Sequence, residues 1–75
     1  MARAFFYLID GLTSEKAVRL KRALEQVTDI IGVIVRPSHG VLEVQSNRDV
    51  EDEVKMACSL AGTSFRVRIK KRSLF

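Results

Sequence analysis

The chain has 75 residues with 13 Lys or Arg against 9 Asp or Glu, a net charge of +4, and a hydrophobic fraction of 47%. That composition is expected to form one small domain over residues 1–75 and excludes a disordered polar chain. A single cysteine, Cys58, excludes both an intrachain disulfide and a four-thiolate zinc site within one chain. The apolar start, Ala4 to Ile9, closes at Asp10 and Gly11. It is too short to span a bilayer and lacks the form of a secretory signal, so a soluble, cytoplasmic protein without membrane contact is expected.

In chain order, residues 3–9 are aromatic and branched and predict a strand. Gly11 ends it, and Thr13 or Ser14 is placed to cap a helix. Ala17, Leu20, Leu24 and Val27 then recur at steps of three and four, predicting an amphipathic helix from about 14 to 27. Glu15 and Arg19, and Lys21 and Glu25, have the spacing of ion pairs on one helix face. "DIIGVIVR" predicts a second, mostly buried strand, "PSHG" a turn, and "VLEVQS" a third strand paired with the second. Ser46 or Asn47 is expected to cap a second helix whose stripe is Val50, Val54, Ala57 and Ala61, with Met56 and Cys58 at its margin. Gly62 is placed to end it. "SFRVRIK" alternates, which assigns Phe65, Val67 and Ile69 to one face and Arg66, Arg68 and Lys70 to the other.

The order βαββαβ predicts an α+β, ferredoxin-like sandwich: a four-stranded antiparallel sheet with two helices on one face. With that layout, the chain resembles a heavy-metal-associated domain, the fold of copper chaperones and of the N-terminal modules of copper and zinc ATPases. That family reads strand, G-M-T-C-x-x-C, helix, then a G-V-x-x-V-x-V strand and a hairpin. Here "GLTSEKA" falls on the first motif, "DIIGVIV" resembles the second strand, and "SLAGTSFRV" resembles the helix-to-strand ending. The resemblance implies a metal site at the start of the first helix, but Ser14 and Ala17 stand where the two cysteines belong. Paired thiolates at a helix start suit Cu(I) and other soft ions, whereas a serine hydroxyl is a poor soft donor and alanine is none. No metal and no cofactor are therefore expected at this loop, and the site is expected to be degenerate.

No nucleophile–base set, phosphate-binding glycine loop or paired carboxylates stands out, so an enzyme is not expected. His39 reads as a solvated turn residue and Asp10 as a polar strand end. The cations of the first helix and the acids of the second are expected to pair across the groove between the helices, or else to steer a charged partner. The open sheet face carries the more specific signal. By parity it should hold Phe6, Leu8, Ile34, Val41, Arg66, Arg68 and Lys70. An apolar patch beside a row of cations suggests a protein interface or a homo-oligomer. The second reading is nucleic-acid binding through Phe6, Arg66, Arg68, Lys70, Lys71 and Arg72, since the same fold underlies modules that stack bases on aromatics. "VLEVQS" lacks the aromatic-rich motif of those modules, which ranks protein contacts first. A third reading keeps heavy-metal binding or transport through Cys58 shared between chains.

Overall fold

A computed structural model describes residues 2–69. Strand β1 runs Arg3–Asp10, helix α1 Ser14–Glu25, β2 Ile30–Arg36, β3 Val41–Ser46, helix α2 Glu51–Ala61 and β4 Ser64–Ile69, with one turn of 3-10 helix, Pro37–His39, between β2 and β3. The strands form one antiparallel sheet in the order β2-β3-β1-β4. This is the βαββαβ sandwich expected from the order of elements.

Packing explains why the pattern folds this way. Leu20 and Leu24 of α1 and Val54 of α2 are fully buried against Tyr7, Leu42 and Val44 of the sheet. The α1 stripe therefore faces the sheet as its period required. Thr13 caps α1, its hydroxyl accepting from the Lys16 amide at 3.2 Å. Gly62 closes α2 in the left-handed region at φ 78°, with the Thr63 amide donating to the Cys58 carbonyl at 2.9 Å. Gly40 closes the β2–β3 hairpin at φ 64°, and a Cβ there would meet the Ile9 carbonyl at 3.2 Å. The Ile9 amide donates to the Gly40 carbonyl at 2.8 Å, which holds the hairpin end against β1.

The start of α2 differs from the expectation. Val50 is its N-cap and makes no side-chain cap bond. Asp49 serves instead, its carboxylate accepting from the Glu51 amide at 3.1 Å. Ser46 is fully buried, donating to the Asp29 carbonyl at 3.0 Å and accepting from the Arg48 amide at 3.3 Å. It ties the end of β3 to the loop before β2. The second strand is also less buried than its composition suggests. It is an edge strand, and a bulge at Ile31 leaves that side chain 61% exposed.

Candidate interaction face

The decisive local feature is an irregularity in β4. Against β1 the register runs Ile9 with Phe65 and then Leu8 with Val67, so Arg66 is an extra residue on β4. A bulge of this kind reverses the alternation of every residue beyond it. Phe65 packs toward the core, its ring centroid 5.6 Å from that of Tyr7. Past the bulge, Arg68 lies opposite the buried Tyr7, on the helix-bearing side. Val67 and Ile69, expected in the core, lie opposite Leu8 and Phe6 on the open side.

Two assignments are thereby corrected. Arg68 is not on the open face. Its guanidinium donates to Asp49 at 2.7 Å and stands 3.6 Å from Glu51, at the start of α2. Val67 and Ile69 are not core residues, and Val67 is 48% exposed. Of the other residues assigned to the face, Phe6, Leu8, Ile34 and Val41 are on it by register, with Ile34 41% exposed. Arg66 sits at its margin, 3.8 Å from Asp10. Lys70, Lys71 and Arg72 lie outside the described residues. The sequence held no bulge signal: no glycine or proline marks Arg66, and strict alternation argued against one.

The face so defined is a patch of Phe6, Leu8, Ile34, Val41, Val67 and Ile69, joined across all four strands by the pairing register. Glu43 sits within it, between Phe6 and Ile34, and Arg36 sits beside Val41. Glu43 is half-buried and Arg36 exposed. Among the described residues neither is in an ion pair, the nearest polar partner of Glu43 being the Gln45 amide at 3.5 Å.

The helix charges do not pair across the groove as expected. Arg48 bridges Asp29, at 2.6 Å, and Glu53. Lys55 pairs with Glu51 at 3.4 Å within α2, and Glu15 with Arg19 at 3.5 Å within α1. Glu51 and Glu53 of α2, and Asp49 just before it, are thus met by residues of the β3–α2 loop, β4 and α2 itself. The hollow between the helices is lined by Ala23, Val27, Met56, Ala57 and Leu60 and by one acid, Glu53, which Arg48 already holds. From α1, Lys16 reaches over to donate to the Gly62 carbonyl at 3.0 Å. A cation there also complements the negative end of α2.

The guanidinium of Arg68 and the Glu51 amide hold the Asp49 carboxyl below its ordinary value of 3.8. A carboxyl depressed in the folded state contributes stability above its unfolded pKa, and that contribution is lost as pH falls through the folded value. Arg68→Gln is therefore expected to raise the Asp49 titration midpoint, read by carboxyl NMR, and to shift the onset of acid unfolding to higher pH. Midpoints equal in the two proteins would show that the contact is absent in solution.

The positions of the expected metal motif are Ser14, the first residue of α1, and Ala17, one turn on and 7% exposed. A hydroxyl and a methyl do not make a soft-metal site. Among the described residues no cluster of three or more His, Cys, Asp or Glu is placed to hold an ion. Cys58 was expected at the margin of the stripe but is 1% exposed, and burial pushes its thiol pKa up. A thiol held neutral in the core is not presented to a second chain, so sharing a metal through Cys58 would require α2 to open.

No protein-family model matches the chain, and no curated protein sequence matches it. Solved structures do. The apo N-terminal domain of ZntA superposes with a TM-score of 0.84 at 20% identity, over 96% of this chain and 99% of that one. The fold is that of the heavy-metal-associated domains. Oxidized MerP from Ralstonia metallidurans CH34 gives 0.76 at 18% identity over 89% and 97% of the two chains. A putative copper-ion-binding protein from Bacillus anthracis str. Ames gives 0.76 at 10% over 88% and 97%. At these identities the likeness is one of fold. No helix among the described residues is long and apolar enough to cross a membrane.

Proposed function

We propose that this chain is a small, non-enzymatic, cytoplasmic module on the heavy-metal-associated fold, that its paired-thiol site is degenerate at Ser14 and Ala17, and that it works through protein contacts on its open sheet face. The observation that carries the reading is the β4 bulge, which removes Arg68 from that face and adds Val67 and Ile69 to it. Contiguous apolar surface of this kind on a small domain favours protein association. The same change counts against nucleic acid, because binding to phosphate needs cations on the surface that meets it.

A photo-crosslinking amino acid at position 34, on the open face, tests the reading against the same probe at position 56 on the helix side, where Met56 is 66% exposed. Protein adducts from position 34 and not from position 56 are expected, whether the captured chain is another protein or this one. Adducts to nucleic acid at position 34 would favour the second reading, and equal capture from both positions would overturn the assignment of the face.

A further inference from the structure

The open face carries charge as well as apolar surface, and the charge constrains what can cover it. Glu43 stands among Phe6, Ile34 and Val41, half-buried and without a cation among the described residues. Covering it with an apolar surface would strand a carboxylate away from water, a large cost. An occupant must therefore bring a cation to the Glu43 position and must also accept Arg36. This face has both groups itself, on a diagonal between neighbouring strands: Arg36 on the edge strand β2, opposite Val41, and Glu43 two residues on along β3, opposite Ile34.

We infer that the partner of this face is a second copy of the chain, packed sheet to sheet about a two-fold axis, with Glu43 of each protomer meeting Arg36 of the other. The inference rests on the reading of the face given above. A two-fold interface is self-complementary, so a residue and its counterpart exchange places across it. An axis lying between the sheets and crossing the Arg36–Glu43 diagonal at its midpoint puts the two charges in register twice. It also runs over the centre of the sheet, so the apolar residues of β1 and β3 overlap rather than overhang. The size agrees. The molecule measures 31 × 30 × 17 Å, so its broad side has room for an interface of the roughly 800 Å² per partner that a standard stable complex buries. The helices cover the opposite face, and the core is complete without the sheet surface.

Reciprocal pairing makes a demand that other packings do not. Glu43→Arg alone sets Arg36 against a second arginine, and Arg36→Glu alone sets Glu43 against a second glutamate. Each variant is expected to weaken the dimer by roughly a hundredfold or more. Mixed together, the two variants present opposite charges at both contacts and should form a one-to-one heterodimer. The Arg36→Glu/Glu43→Arg double variant should dimerise with itself again. Native mass spectrometry distinguishes these species by mass, sedimentation velocity checks them in solution, and thermal melts confirm that each variant is folded. A monomeric wild-type chain at sub-millimolar concentration would overturn the inference. So would a dimer that ignores both single reversals, or single variants that do not complement each other. If the wild type is monomeric while position 34 crosslinks another protein, the face is a contact surface and only the second copy is wrong. If position 34 captures nothing, the reading of the face falls as well.

Discussion

Leu24→Asp is expected to abolish cooperative thermal unfolding. Leu24 is fully buried on α1, within the cluster that joins both helices to the sheet. Truncating a buried leucine costs about 2–5 kcal/mol from lost transfer and the cavity left behind. Aspartate adds a carboxylate with no cation in that core, and either its ionised form is stranded or it must bind a proton to stay inside. A chain of this size holds only about 4–11 kcal/mol in total. The two penalties together consume most or all of it. Circular dichroism should therefore show a melt that is lost or shifted far below that of the parent. Unchanged melting would mean that α1 presents another face to the sheet. The exposed position Arg22, on the same helix, is the matched control, because Arg22→Asp buries nothing.

The contrast between these positions shows what the chain makes legible. The period of Ala17, Leu20 and Leu24 assigns the buried face of α1 correctly because a helix has no means of skipping a residue without breaking its own hydrogen bonds. The βαββαβ order follows from turn residues with a conformational reason to be there, Gly40 and Gly62 at positive φ among them. A strand is less constrained. One extra residue in β4 is absorbed between two ladder bonds, and the alternation beyond it reverses with no mark in composition. "FRVRI" therefore reads equally well with its arginines on either face. Here their acidic partners decide: Arg68 can reach Asp49 and Glu51 only from the helix side. Those partners are 17 to 19 residues away in sequence, and nothing local links them to β4. The α2 cap was missed for a related reason. Ser46 and Asn47 are good capping residues by type, but the Asp29 carbonyl claims the Ser46 hydroxyl, and that contact is tertiary.

The loop at the start of α1 carries the second large expected effect. The unmutated chain should not bind Cu(I) or Zn(II) tightly, whereas Ser14→Cys with Ala17→Cys should bind one soft ion per chain. The backbone is already arranged for it. Gly11 turns the chain out of β1 at φ 73°, and Thr13 caps the helix. Residues 14 and 17 are then one turn apart at its N-terminal end. That end of a helix stabilises negative charge and lowers thiol pKa values, so both sulfurs would be available as thiolates near neutral pH. Lys16, between them in sequence, adds a positive charge to the same turn. Position 17 is 7% exposed, so a thiol there would be largely shielded from water. Alanine to cysteine adds one sulfur, a small change for the packing to absorb. Competition against a chelator of known affinity measures both proteins, and Cys58→Ser in each background removes the native thiol from the count. Stoichiometric binding by the double variant, with none by the parent, is the expected result. Tight binding by the parent that survives Cys58→Ser would overturn the degenerate-site reading. A folded double variant that binds nothing would show that this loop resembles the paired-cysteine motif in path alone, with the side chains at 14 and 17 diverging rather than converging on one ion.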